Sequence, residues 1–230
     1  MSASTDKFAI KIPLQLKCSN CEASDSIKIR LDDASFDWTC AKCGFRHPSF
    51  LGLDFTIGVL LLQKSRHEIA VEQDFSMAIV LAAMAFESQL SHLFGKWRQI
   101  DTLRAGTYVE PAQLRAQLEE EMRHLGPIDQ KISEVSKLLV GKDLDAFVSD
   151  SPDISKEVTA SFQNIRVGTM TTDFQRHLFW PRNAIVHWGD VKHSYQEAAD
   201  CYSFARLGLF IFYKMDEDRR QRLDSSLAGH

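Results

Sequence analysis

The sequence predicts a mainly α-helical protein with a small β-structured metal ribbon at its N-terminal end. Beyond about residue 50, apolar side chains recur at helical spacing and no strand pattern of any length appears. Four of the five cysteines fall within the first 43 residues, in two closely spaced pairs. A chain of 230 residues, 44% hydrophobic and 25% charged, has room for a full core and a small appendage. We therefore expect a ribbon over residues 1–50 and a helical bundle over residues 51–230.

The cysteine spacing indicates a metal site. The two Cys-x2-Cys pairs are Cys18 with Cys21 and Cys40 with Cys43. A pair on a tight turn can present two thiolates to one ion, and four thiolates complete a closed, tetrahedral structural zinc site. The stretches 27–31 and 36–39 have strand character, so the segment resembles a zinc ribbon. Such a small module buries too little apolar surface to fold alone, and we expect zinc binding to stabilise it.

The ribbon also carries aromatic and basic residues, which have two interpretations. Trp38 and Phe45 either pack the ribbon onto the helical domain or, with Lys42, Arg46 and His47, form a surface for single-stranded nucleic acid. We favour packing. His47 is surplus to the four thiolates.

The helical part begins with a segment over 55–64 and has its strongest periodicity over 67–98. Around 82–86 the helix is apolar on every side, so we expect it to be central and buried. Between about 105 and 165 lies an inserted helical elaboration that we interpret as a lid or a partner surface. Its expected helices cover 111–125, 127–139, 143–147 and 155–165.

The last part of the chain carries clear helix signals. Pro181 is expected to open a short helix that Gly189 ends, because proline favours the first helical position and glycine the position after the last. Ser194 is expected to cap a long final helix, within which Cys201 is a small buried hydrophobe.

The short helix carries a candidate phosphodiester site. Asn183 and His187 are four residues apart and share one face, whereas Arg182 points about 140° away from His187. The first turn of a helix favours anions, an arginine can bind phosphate through two hydrogen bonds, and a histidine exchanges protons near neutral pH. The alternative is a solvated arginine and a histidine that caps a carbonyl, since such short patterns are common.

The pattern Arg182-Asn183-x3-His187, followed by Trp188-Gly189, resembles the motif of ribonucleases of the HEPN superfamily. The likeness in helix order covers about 55–100 and 170–215. It implies a metal-independent endoribonuclease that acts as a homodimer, in which attack by the 2′-hydroxyl cleaves a single-stranded or tRNA-like RNA. Toxin–antitoxin or antiviral systems, with an antitoxin or another protein partner, are the implied setting.

Two further features bear on that resemblance. HEPN proteins often carry an acidic residue on an early core helix that meets the motif, and Glu87 is the best match; the alternative is an ordinary surface glutamate. Some catalytic members also have an acidic residue and a lysine just before the arginine, where this chain has His177 and Pro181. A non-catalytic nucleotide-binding, RNA-binding or protein-interaction module is therefore the alternative function.

The net charge and the cysteines limit the kinds of binding partner and the cellular compartment that we expect for this chain. The net charge is −4, divided into +1 for residues 1–50 and −5 for the rest, which argues against binding to long duplex nucleic acid. The cysteines are typical of a metal site rather than a disulfide framework, so we expect a reducing compartment, the cytoplasm. The longest apolar run, 77–86, is too short to span a bilayer, and no signal peptide is evident.

Overall fold

Two antiparallel hairpins form the N-terminal module. A computed structural model describes residues 11–18, 20–30, 35–50, 57–107, 109–161, 168–190 and 192–228. The strands are β1 (Lys11–Lys17), β2 (Ser24–Arg30), β3 (Ser35–Thr39) and β4 (Arg46–Phe50). β1 pairs with β2, and β3 pairs with β4. The sequence did not indicate β1 as a strand, because Pro13 interrupts it. In the hairpin Pro13 lies opposite Lys28.

Helices make up the rest of the described chain, so the prediction of a mainly α fold is confirmed. They are α1 (Ile57–His67), α2 (Phe75–Arg104), α3 (Pro111–His124), α4 (Ile128–Val140), α5 (Leu144–Asp150), α6 (Pro152–Ser161), α7 (Met170–Phe174), α8 (Trp180–Trp188) and α9 (Tyr195–Ala228). Two π turns extend them, the first over Glu68–Glu72 after α1 and the second over Gln175–Phe179 between α7 and α8.

The prediction of one helix over 67–98 was wrong. α1 runs into the first π turn, and the chain then breaks at Gln73, which has a positive φ of 58°. Asp74 starts α2 by accepting a hydrogen bond from the Met77 backbone N–H at 2.9 Å. An aspartate before an apolar run is a helix-start signal, but the helical periodicity on both sides of the break concealed it.

Helices α2 and α9 form the centre of the core. The predicted central stretch of α2 is buried at Ala82, Ala83, Ala85 and Phe86, although Met84 is 42% exposed. In α9 every residue from 201 to 212 is buried, whereas the periodicity of the sequence indicated burial of one face only. This stretch of α9 is therefore interior on all sides, although it includes two polar side chains, Ser203 and Arg206.

The inserted segment shares this core and is not an outlying elaboration. Ile132, Leu139, Leu144, Val148 and Val158 are at most 1% exposed and belong to the same apolar cluster as α2 and α9. The start of α4 after Pro127 and its end at Gly141, with a φ of 76°, are as predicted. The expected helix over 155–165 is α6, and residues 162–167 lie outside the described part.

Helix α2 is long and apolar enough, by length and composition alone, to cross a membrane. Just over half (56%) of its most apolar window is buried inside the protein, which the core helix of a helical bundle also shows.

A buried carboxylate fixes the far half of α9 against α2. Asp216 accepts hydrogen bonds from Trp97 Nε1 at 2.5 Å and from Lys96 Nζ at 3.1 Å, and it pairs with Arg220 at 2.6 Å. Because a buried charge is costly unless it is paired, these three donors account for its place in the core.

Candidate functional site

Each cysteine pair lies in the turn of one hairpin, and the two turns have the same backbone geometry. In the first, the Glu22 N–H donates to the Cys18 carbonyl at 2.8 Å; in the second, the Gly44 N–H donates to the Cys40 carbonyl at 2.9 Å. Both donors have a positive φ, 57° for Glu22 and 71° for Gly44. Glycine adopts this conformation freely, whereas it strains a glutamate.

The four sulfur atoms lie close together, as in a metal-binding site. All lie within 4.8 Å of one another, with Sγ separations of 3.6 Å for Cys18–Cys43 and 3.7 Å for Cys21–Cys40. Ligand sulfurs about 2.3 Å from a tetrahedral ion are about 3.8 Å apart. The separations are far longer than the ~2.05 Å of a disulfide, and all four thiols are free. The predicted donor set therefore fits a tetrahedral ion.

Trp38 packs inside the ribbon itself. It is 5% exposed, forms one apolar cluster with Cys18 and Cys40, and its Nε1 lies 3.3 Å from an Asp25 carboxylate oxygen. Trp38 therefore offers no exposed stacking surface, whereas the expectation that it packs the ribbon onto the helical domain stays a prediction. Phe45 is 46% exposed.

Helix α8, which carries the motif, follows directly on α7 and the second π turn. Both of these preceding elements pack against the core. Phe174 and Phe179 are buried and face Phe86 of α2, with ring centroids at 4.8 Å and 6.0 Å. The second π turn continues directly into α8, and the Trp180 N–H donates to the Gln175 carbonyl. Pro181 lies in the first turn as predicted, but that turn is not the open, positively charged helix end that we expected.

Arg182 and Asn183 contact each other. Arg182 Nη1 donates to Asn183 Oδ1 at 2.9 Å, and Arg182 Nε is buried with no hydrogen-bond partner. We predicted that Asn183 would bind phosphate or fix the imidazole tautomer. Within the chain its carbonyl oxygen accepts from the guanidinium, and the roles that we predicted for it stay a prediction.

His187 is exposed and makes no hydrogen bond or ion pair within the described part of the chain. It lies in the last turn of α8, one residue before the end, and Gly189 ends the helix with a φ of 68°, as predicted. Arg182 and His187 do not contact each other: they diverge by about 140° around the axis and are about 7.5 Å apart along it. One copy of the chain therefore does not bring the two side chains together.

Glu87 does not join this pair. Its carboxylate lies 3.8 Å from Lys131 Nζ of α4, and no contact with Arg182 or His187 exists among the described residues. Within one copy of the chain Glu87 therefore lies beside a cation of α4, which the sequence pattern did not place there, and its predicted role toward the motif has no support.

The junction between α8 and α9 confirms two predictions. Ser194 caps α9: its Oγ accepts from the Glu197 N–H at 3.2 Å, and its own N–H donates to Glu197 Oε2 at 2.7 Å. The hydrogen bonds that the Ser194 N–H and hydroxyl donate to Glu197 Oε2, and then the charge of His193, lower the pKa of Glu197. Cys201 is buried, its thiol donates to the His177 carbonyl at 2.8 Å, and burial raises its pKa to about 12.

The sequence pattern did not indicate how exposed α8 is. None of its side chains is buried, and Trp180, Val186 and Trp188 are 63%, 49% and 82% exposed. The two tryptophans marked the limits of the motif in the sequence, and their exposure depends on packing that only the structure gives.

Comparison of the chain with protein-family profiles, with curated proteins and with solved structures found no match. The resemblance to the HEPN superfamily therefore stays a prediction that rests on the motif, and function is argued from the site alone.

Proposed function

We propose that this protein is an endoribonuclease of the HEPN type, which cleaves RNA at helix α8. The observation that carries the proposal is the state of two side chains. Asn183 accepts a hydrogen bond from the Arg182 guanidinium, while Arg182 Nε has no acceptor among the described residues. Five residues later, His187 is exposed and has no partner in the part of the chain that the structure describes. A buried nitrogen such as Arg182 Nε normally has a hydrogen-bond partner, and an exposed histidine is accessible to a substrate.

The chemistry needs only proton transfer and charge stabilisation, because RNA carries its own nucleophile. The 2′-oxygen attacks the adjacent phosphorus and the bond to the 5′-oxygen breaks, which leaves a 2′,3′-cyclic phosphate and a 5′-hydroxyl. His187 takes the proton from the 2′-hydroxyl or gives one to the leaving oxygen, a contribution of about 10²–10⁴-fold. Arg182 neutralises the charge that develops on the phosphoryl oxygens, worth about 10²–10³-fold for one donor.

A homodimer would complete the site. Arg182 and His187 point to different sides of one helix. When two copies set their α8 helices against each other, the arginine of one copy can face the histidine of the other across a single phosphate. The exposed, unburied character of α8 supports this arrangement.

The ribbon would hold one structural zinc ion on Cys18, Cys21, Cys40 and Cys43. Four thiolates leave no open coordination position, so this ion would stabilise the ribbon and take no part in cleavage. Free thiols require a reducing compartment, for which we propose the cytoplasm. The setting would be a defence or toxin–antitoxin system with a protein that restrains the nuclease.

The test is cleavage of end-labelled RNA in EDTA without added divalent cation, with product ends analysed for 2′,3′-cyclic phosphate. We expect Arg182→Ala and His187→Ala to lose cleavage at least 10²-fold while keeping the melting temperature. The control is His124→Ala, another exposed histidine, on α3, which should cleave normally. Full cleavage by His187→Ala, or cleavage of an all-deoxy strand, would contradict the proposal.

The second candidate is a non-catalytic RNA-binding, nucleotide-binding or protein-interaction module. The observation that favours it is Pro181, which stands where some catalytic members have a lysine, in a chain of net charge −4. This candidate predicts RNA or nucleotide binding that depends on Arg182, with no cyclic-phosphate product.

A further inference from the structure

We infer that Trp180 and Trp188 form a stacking platform for unpaired RNA bases on both sides of the bond next to His187. The substrate would then be RNA that is single-stranded at the cleavage site. The inference deepens the proposed function and rests on it for the cleavage step, whereas the stacking is a claim about binding.

The first support is the contrast among the four tryptophans. Trp38 and Trp97 are 5% and 2% exposed, as expected for large rings in a core, whereas Trp180 and Trp188 are 63% and 82% exposed. Among the large hydrophobic side chains of the described residues, Trp188 is the most exposed. Three large apolar side chains, Trp180, Val186 and Trp188, are exposed on this one short helix, and such a concentration of exposed apolar surface marks an interaction site.

The second support is the position of these rings relative to His187. Trp180 lies seven residues before it, which places both on the same face of α8, about 20° apart and about 10.5 Å apart along the axis. Trp188 follows His187 directly and lies toward the adjacent side of the helix. The histidine therefore lies between two exposed indoles in order along α8: Trp180 is on its own face about 10.5 Å before it, and Trp188 is on the adjacent face about 1.5 Å beyond it.

The third support is local charge. Residues 175–193 contain Arg176, Arg182 and Lys192 against Asp190, together with three histidines, in a chain whose net charge is −4. A polyanion such as RNA would therefore be attracted to this positively charged segment. Two copies that met through α8 alone would set this positive stretch against itself, because a two-fold contact pairs each patch with its own copy. An RNA strand between them relieves that repulsion.

Basic residues beside exposed aromatic rings select unpaired nucleic acid. Every base has a π-face that can stack on an indole, so the contact is tolerant of sequence, but in a duplex both faces of an internal base are covered by its neighbours. The platform therefore selects against paired RNA at the cleavage site without reading a sequence.

The experiment measures binding separately from cleavage. The zinc-loaded full-length chain is titrated against a labelled oligonucleotide that is 2′-O-methylated throughout, and so cannot be cleaved, as a single strand and as a duplex. We expect Trp180→Ala and Trp188→Ala each to weaken single-strand binding by roughly 5- to 150-fold, the range for a lost base–aromatic stack. Trp188→Phe should restore most of the affinity, and Leu103→Ala, another exposed apolar side chain at 62%, should change nothing.

The outcomes of these experiments separate the stacking platform from the nuclease and from a protein interface. If Trp188→Ala binds the single strand as tightly as the wild type, or if the wild type binds the duplex as tightly as the single strand, the platform is refuted. The proposed nuclease still stands in that case if His187→Ala abolishes cleavage. Dissociation of the dimer by Trp188→Ala in sedimentation, with RNA affinity unchanged, assigns the rings to a protein interface. Absence of RNA binding by the wild type rejects the platform, and the cleavage assay then decides the nuclease separately. Ring-dependent, single-strand-selective binding without any cleavage would leave the platform standing and refute the nuclease.

Discussion

Arg182 Nη1 donates a hydrogen bond to Oδ1 of the adjacent residue, Asn183, at 2.9 Å. Neighbours on a helix point about 100° apart, so a side-chain bond between them requires the long arginine to fold back along α8. This side-chain conformation fixes the guanidinium in one position, in which Nε is buried and has no acceptor among the described residues. In the proposed site, Asn183 is therefore a positioning residue and Arg182 is the group that touches phosphate.

The first prediction concerns this contact. Asn183→Ala should lower kcat for RNA cleavage by roughly 10- to 100-fold, since misplacement of a catalytic group by about 1 Å can cost that much. Asn183→Asp keeps the acceptor but partly cancels the positive charge, so it should raise KM more than Asn183→Ala does. Steady-state cleavage kinetics, with melting temperatures to confirm folding, distinguish the two effects. A kcat for Asn183→Ala equal to the wild type would show that the hydrogen bond has no role.

The sequence predicts best what is encoded within a few residues. The cysteine turns, the glycine that ends α8 and the Ser194 cap are local features, and the structure has each of them where the spacing indicates. Glu87 shows the limit. Its partner Lys131 lies on another helix, and which helices meet depends on how the whole core packs. The exposure of Trp188 was hidden for the same reason.

The second prediction concerns the metal. Trp38 belongs to the cysteine cluster of the ribbon, and the helical core is a separate apolar cluster. Removal of the ion, or Cys43→Ser, should therefore shift Trp38 fluorescence to longer wavelength and leave the helical circular dichroism almost unchanged. Structural zinc contributes about 10–16 kcal/mol in small peptides, so the ribbon should not fold without it.

The control for the metal experiment is Cys201. Burial raises its pKa to about 12, so at pH 8 almost no thiolate is present to react. In the metal-free protein, whose ribbon is unfolded and whose helical bundle stays folded, the four ribbon thiols should be alkylated and Cys201 should be spared. Cys201→Ala should keep its full metal content. Loss of the helical signal on chelation would show that the ribbon and the bundle fold as one unit.

The third prediction tests the close approach of α9 to α2. A Cβ on Gly208 would lie 2.3 Å from Cε2 of Phe86, whose ring is buried and stacked on Phe174. Gly208→Ala should therefore lower the free energy of unfolding by about 1–3 kcal/mol. Gly95→Ala is the matched control, because a Cβ there meets nothing within 4 Å, and it should be neutral or stabilise by about 0.5–1 kcal/mol. Urea unfolding measures both.

A second substitution identifies the cause of the Gly208→Ala effect. Phe86→Leu removes the ring atoms that the new methyl group would meet, so the double variant should lose less stability than the sum of the two single losses. Strictly additive losses would place the cost elsewhere than in the contact between Gly208 and Phe86.

The last prediction concerns pH and the cap of α9. Hydrogen bonds from Ser194, and then the charge of His193, lower the pKa of Glu197. A carboxyl whose pKa is lower in the folded state adds stability above its unfolded pKa of about 4.3, and loses that contribution as the pH falls through the folded pKa. Glu197→Gln should therefore destabilise the protein at pH 7 and lose this penalty toward pH 3.

Screening by solvent limits how much the Glu197 charge contributes to the free energy of unfolding. The Glu197 side chain is 53% exposed, so after screening its charge should contribute well under about 1 kcal/mol. Ser194→Ala also removes the Oγ acceptor of the Glu197 N–H, so it should cost about 1 kcal/mol and keep part of that cost at low pH. Ser225→Ala, near the other end of α9, should show neither effect. Denaturant unfolding at several pH values gives the comparison, and a Glu197→Gln penalty that stays constant from pH 7 to pH 3 would show that the Glu197 charge does not stabilise the cap.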